Sequence, residues 1–276
     1  MRYFLTIFLL AISFQVQAKC KSGMSLEGTM SIPGCDSDKC VSGAEATYKY
    51  ADNIPENKDP KILVLSLHSS PWRFYDGEMR ILSIEEVAEI AKPYIEKGVK
   101  RIILMASWSG VAPDRKEKSL AQKLSNALDG FPVSGMDGFV WLAPDGSIRT
   151  SHQAFSIWKN QGQYKIQEGA EVMVSMVAGW PVMYQDNFRD DKNSEGIMRA
   201  GAGWDIFFLC PDSALQSFEA AAQLSNPVAA YNAAVIRLAR SNEGDVEAAT
   251  FLLNKAADAG DKKAQALLIS LKKQGN

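Results

Sequence analysis

The sequence predicts an α/β domain followed by an all-α region, and three observations predict it. Apolar runs of strand length alternate with amphipathic stretches of helix length between residues 59 and 148. A serine positioned as a helix cap, Ser83, opens the first of those helical stretches. The tail, residues 213–276, repeats itself with an offset of 35 residues. Strand–helix–strand alternation implies parallel pairing with right-handed crossovers, and a period of that size implies stacked helical hairpins. A chain of 276 residues that is 46% hydrophobic and 22% charged has the composition of a folded protein, not of a disordered or collagen-like one. Lys+Arg 30 against Asp+Glu 32 gives a net charge of −2. No basic excess exists to follow a phosphate backbone, so no nucleic-acid partner is expected.

Residues 1–18, MRYFLTIFLLAISFQVQA, read as a secretory signal peptide. Arg2 supplies the positive start, Phe4 to Phe14 form a short apolar run, and Val16-Gln17-Ala18 places small residues before a cleavage site. The apolar run is shorter than the roughly 20 residues of a spanning helix; an uncleaved anchor is the alternative. Lys19 before Cys20 is wrong for a lipoprotein signal, so no membrane anchor is expected after cleavage and the protein is expected in the periplasm or outside the cell. An oxidising compartment favours pairing of the four cysteines, Cys20, Cys35, Cys40 and Cys210. Three connectivities are possible. The preferred one joins Cys35 to Cys40 across a turn-forming segment, and Cys20 to Cys210. A metal centre is the weaker alternative, because there is no CxxC and neither His68 nor His152 lies near a cysteine pair.

Residues 19–58 are polar and read as a cysteine-containing extension ending in a linker, Asn53 to Lys58. The α/β domain is expected over 59–212. Ile62 to Leu67 is a buried-strand run. Ser83-x-x-Glu86 is a capping box that opens a helix with Ile84, Val87, Ala88, Ala91 and Ile95 at helical spacing; Gly98 ends it. Arg101–Met105 is a second strand. Ser119 to Leu128 is a second helix, stopped by Gly130. Phe139–Leu142 is a third strand, followed by the turn Pro144-Asp145-Gly146-Ser147. Val172 to Val177 and Trp204 to Leu209 read as further strands.

In the tail, Phe218 to Ala229 aligns with Leu253 to Ala264, matching Ala221 with Ala256, Ala222 with Ala257, Asn226 with Asp261 and Ala229 with Ala264. The phrase Lys255-Ala256-Ala257-Asp258-Ala259-Gly260 with Ala264 resembles the Sel-one-like kind of tetratricopeptide-like repeat. That resemblance implies a scaffold for contact with another protein.

The candidate chemistry lies at the ends of the predicted strands, where parallel sheets open into a crevice. His68 follows the first strand and Ser107 the second, so a base and a hydroxyl are expected side by side. His152 is expected to be exposed. Trp72, Phe74 and Tyr75 form an aromatic loop after His68, either a recognition surface or a cap over the sheet edge; in the first case they rim the crevice with Trp108 as a binding surface. Asp76, Glu78, Asp114 and Asp145 read as solvated loop acids. No G-x-S-x-G elbow, P-loop or dinucleotide-binding turn is present, and no cofactor is expected.

An apolar block then His, and one helix later an apolar block then Ala-Cys, is the layout of caspase-like cysteine peptidases. Three phrases resemble the downstream pieces of such domains in secreted bacterial proteins. They are Ser107-Trp108-Ser109-Gly110, Ser119-Leu120-Ala121-Gln122-Lys123-Leu124, and Val133-Ser134-Gly135-Met136-Asp137-Gly138-Phe139-Val140. The resemblance covers about 62–148 and implies a parallel-sheet caspase-like sandwich. Two departures matter. Ser107 stands at the position of the family's thiol, and Ser69 replaces the glycine that helps hold the oxyanion. A hydroxyl is far less acidic than a thiol, so an imidazole suited to cysteine is poorly matched to it. The expectation is a secreted or periplasmic protein-binding module built on an inactive caspase-like domain, in an immunity or regulatory role. The alternative is a serine-type hydrolase using Ser107 and His68.

Overall fold

The computed structural model describes residues 29–33, 35, 37–158, 165–174 and 192–274. Residues 1–18, expected to be a signal peptide, and Cys20 lie outside them. Two short strands, β1 (Thr29–Pro33) and β2 (Cys40–Ser42), lead into helix α1 (Gly43–Asp52). Ser42 caps this helix, its hydroxyl accepting from the Glu45 N–H at 3.1 Å. The expected disulfide between Cys35 and Cys40 is present. Cys210 is disulfide-bonded too; its expected partner, Cys20, is outside the described residues. Among the described residues no helix is long and apolar enough to cross a membrane.

Next come β3 (Ile62–Ser66), a small set of strands β4 (His68–Ser69), β5 (Phe74–Tyr75) and β6 (Ile81–Leu82), and helix α2 (Ile84–Glu96). They are followed by β7 (Arg101–Met105), α3 (Leu120–Ala127), β8 (Val133–Ser134) and the hairpin β9 (Phe139–Leu142) with β10 (Ile148–Ser151). Strands β11 (Ala154–Trp158) and β12 (Lys165–Gln167) complete the mixed α/β part. The expected capping box, Ser83 with Glu86, forms, and the structure shows a second, Ser119 with Gln122.

The parallel sheet has the order β3-β7-β8, with Ile62 opposite Arg101 and Ile102 opposite Val133. Leu63, Leu65, Ile102, Leu104 and Val133 pack on Val87, Ala88 and Ala91 of α2 and on Leu120, Ala121 and Leu124 of α3. Burial of that alternating set, at about 1.5–3 kcal/mol per large side chain, is what holds helices and sheet together.

Three expectations on strands need correction. Phe139–Leu142 is not the third parallel strand: it pairs antiparallel with β10, and the third place is taken by β8. The Pro144–Ser147 turn makes that hairpin, with the Ala143 N–H donating to Ser147 O and the Gly146 N–H to Ala143 O. Within Val172 to Val177 the described part holds a single bridge, Val174 to Leu142. Trp204 to Leu209 is not a strand. It ends helix α4 (Ser194–Ile206), whose Gly201 is a packing site: a Cβ there would lie 2.8 Å from the Phe218 ring. The expected extension is also part of the fold, since β1 pairs parallel with β11 and β2 antiparallel with β12.

The helical run therefore starts at Ser194. It continues as α5 (Pro211–Gln223), α6 (Pro227–Arg240), α7 (Asp245–Asp258) and α8 (Lys262–Gln274), each packed on the next. The 35-residue repeat is visible bond for bond. At the end of α5, Ser225 takes φ +66°, its N–H donates to Ala222 O, and the Asn226 N–H donates to Ala221 O. At the end of α7, Gly260 takes φ +90°, its N–H donates to Ala257 O, and the Asp261 N–H donates to Ala256 O. Both are Schellman turns. Asn226 then caps α6 by accepting from the Ala229 N–H, and Asp261 caps α8 by accepting from the Ala264 N–H, both at 2.9 Å. Ala221 and Ala256 are fully buried at the crossings.

Candidate functional site

The C-terminal ends of β3 and β7 open into a cavity of about 160 Å3. His68, Ser107, Asp76, Met105, Val140 and Leu142 are among its lining residues. His68 and Ser107 thus share a site, as the strand ends predict, because the Leu67 N–H continues the ladder to Met105 O at 3.4 Å and carries both chains forward together. Among the described residues, however, no hydrogen bond joins them. The Ser107 hydroxyl oxygen accepts from the Val140 N–H at 2.9 Å, and the residue is only 8% exposed. The Ser69 hydroxyl donates to Ser107 O at 2.6 Å. Ser69 and Ser107 therefore act as ties between β4, the chain leaving β7, and β9. Burial pushes the His68 imidazole below its ordinary value; Asp76 pulls the other way and Arg199 adds to the lowering. Burial therefore favours the neutral form of the ring.

Ser107 is followed by a tightly determined turn. Trp108 has φ +61°, a rare conformation for a bulky residue. It is held there by its N–H to Gly138 O (2.8 Å), the Val111 N–H to Trp108 O (3.0 Å) and the Gly110 N–H to Met136 O (2.8 Å). Its indole leaves the cavity and packs on Phe139, Trp141 and Leu209, stacking on the His152 ring at 5.3 Å. His152, exposed as expected, reaches Asp137 O at 3.0 Å.

The expected aromatic rim is overturned by burial. Trp108, Phe74 and Tyr75 are all buried, and Trp72 packs at the edge of the Trp108 cluster. Alternation along β5 explains the pair, because adjacent strand residues face opposite sides. Phe74 enters the core under α2 and α3, while Tyr75 enters the core of the helical run. Both faces of β5 are covered, so neither ring is free to meet a partner. Only Tyr75 also lines the cavity.

What holds the cavity wall is a set of contacts that sequence reasoning missed. Asp205 of α4, fully buried, accepts from Arg73 Nη1 at 2.9 Å and from the Tyr75 hydroxyl at 2.8 Å. Burial works against the Arg73 charge, but Asp205 and Tyr75 together offset it and the guanidinium is held above its ordinary value. Burial and Asp205 together push the Tyr75 hydroxyl well up. Asn232 of α6 accepts from the Ile81 N–H and donates to Met79 O, completing β6 as a neighbouring strand would. Arg80 pairs with Asp261 and lies over the Tyr231 ring at 5.2 Å, and Lys263 reaches Glu86 at 2.8 Å. The signal for these was present: Asn232 interrupts an alanine-rich helix face, and Asp205 sits in an apolar run. The helical run thus grips segment 73–86 of its own chain.

Among the described residues no group of three or more His, Cys, Asp or Glu side chains gathers as a metal centre. Asp114 and Asp145 cap their own loops, through the Lys116 and Glu117 N–H groups and the Ser147 N–H respectively. Asp76 does the same for the Glu78 and Arg80 N–H groups but also lines the cavity.

Fold and site together define a mixed α/β domain with a strand-end cavity, backed by a run of helical hairpins. Residues 37–150 match a family described as a domain of unknown function (DUF8616). No curated protein and no solved structure gives a significant match to the chain.

Proposed function

We propose that this chain is a secreted or periplasmic binding protein without catalytic activity, a caspase-like frame joined to Sel-one-like helical hairpins, whose partner is another protein in an immunity or regulatory role. The observation that carries the reading is the hydrogen bonding of Ser107. Its oxygen accepts a backbone N–H, which ties up lone-pair density a nucleophile needs, and no bond to His68 exists among the described residues to remove its proton. The Cys35–Cys40 disulfide suits an oxidising compartment. Val246, Phe251 and Ile269 of the last two helices stay exposed, Phe251 by 69%, and leave apolar side chains available to a partner.

A serine hydrolase is the second reading, favoured by the shared cavity of a neutral His68 and Ser107. A pull-down from producing cells separates the two. The binding reading expects wild type and Ser107→Ala to recover the same partner in equal amounts. Loss of function in a folded Ser107→Ala favours the hydrolase.

A further inference from the structure

The cavity is chemically one-sided. Among its described lining residues Asp76 carries the only full charge, and no Lys or Arg is present. The Asp76 carboxylate is fixed through Oδ1 by two backbone N–H groups at 2.9 Å, while Oδ2 has no hydrogen-bond donor among the described residues. The one cation with influence on His68, Arg199, is paired with Glu195 at 2.8 Å. The same lining also holds the apolar side chains of Met105, Val140 and Leu142. At about 160 Å3 the space is well below the ~300–1,000 Å3 of sites for whole small-molecule ligands. It suits the end of one extended side chain. Gly77 borders it, and a Cβ there would meet nothing within 4 Å.

We propose that this cavity binds an alkyl guanidinium or alkyl ammonium group, with the charged end on Asp76 and the methylene stem along Met105, Val140 and Leu142. A cation supplies donors to a carboxylate in a charge-assisted bond, and a long basic side chain buries its stem while its head stays polar. An anionic group would meet Asp76 with like charge. The inference rests on the non-catalytic reading only in that a bound peptide is not cut.

The test is a titration of the ¹⁵N-labelled mature protein with agmatine, with the blocked peptide acetyl-Gly-Arg-Gly-amide, and with neutral butylurea. The expected result is saturable movement of the Gly77 and Ser107 amide signals with the cations, and at least tenfold weaker binding of butylurea. Asp76→Asn keeps Oδ1, and therefore the turn, while removing the charge; it is expected to weaken agmatine at least tenfold. Gly77→Val, which narrows the mouth without touching the carboxylate, is expected to do the same. Tighter binding of the peptide assigns the group to a protein partner, and binding of agmatine alone assigns it to a free amine; both support the cavity's chemistry. No saturable movement with either cation overturns the proposal, as does equal affinity in the two variants. Cleavage of the peptide overturns the non-catalytic reading and leaves this one standing.

Discussion

Replacing Asp205 with alanine is expected to lower folding stability by about 3–5 kcal/mol, the cost of breaking a buried ion pair from one side. The reason is what stays behind. Arg73 keeps a guanidinium that loses its 2.9 Å partner in a nearly dry site, and the buried Tyr75 hydroxyl loses its acceptor. A fall in Tm of roughly 10 °C follows for a chain of this size. Calorimetry or denaturant unfolding of the mature protein checks it. The double variant Arg73→Leu with Asp205→Ala removes the orphaned charge and is expected to recover part of the loss. A single Asp205→Ala variant as stable as wild type would show that the helical run does not depend on this contact. The consequence reaches the cavity, because Tyr75 is one of its walls.

The second large effect is expected at Gly135. A Cβ there would lie 2.4 Å from the Gly110 nitrogen and 2.6 Å from the Ser109 carbonyl carbon. Both are backbone atoms, so no side chain can swing aside. Gly135→Ala must push segment 133–138 away from the turn after Ser107. It breaks the Gly110 N–H bond to Met136 O and the Met136 N–H bond to the Ser109 hydroxyl. Overpacking costs typically 1–3 kcal/mol where side chains can adjust; here about 3 kcal/mol or more is expected, measured by denaturant unfolding. Gly77→Ala is the matched control, with open space around the new methyl and an expected change within about 0.5 kcal/mol.

Local signals in the sequence were reliable where chemistry and period agreed. Ser83 with Glu86 and Ser119 with Gln122 announce helices because each side chain satisfies the other residue's backbone. The strand runs 62–66 and 101–105 are bounded by breakers and filled by branched residues. The helical hairpins were legible because a repeat reports the same contacts twice. Helix α1 was missed although Ser42 and Glu45 carry half of the same capping signal. The segment ending in Trp204–Leu209 misled because a fully buried apolar run has no face to show, and its glycines lower helix propensity while serving Phe218.

The site was legible in part for a different reason. Strand ends in a parallel sheet converge, so His68 and Ser107 share a cavity whatever their chemistry. Which groups are buried is a tertiary fact. Phe74, Tyr75 and Trp108 look like loop residues along the chain, yet Phe74 is covered by α2 and α3, Tyr75 by the helical run through Asp205, 130 positions away, and Trp108 by Phe139, Trp141 and Leu209. The same contacts hold Arg73 and Asp205 in place, and no spacing rule links those two positions.

The central claim is that Ser107 is a structural tie and not a nucleophile. Treatment of the oxidised mature protein with a fluorophosphonate probe, read by intact mass, tests it most directly. The account predicts an unmodified mass for wild type. A stoichiometric adduct at Ser107 that is lost in His68→Ala would contradict it.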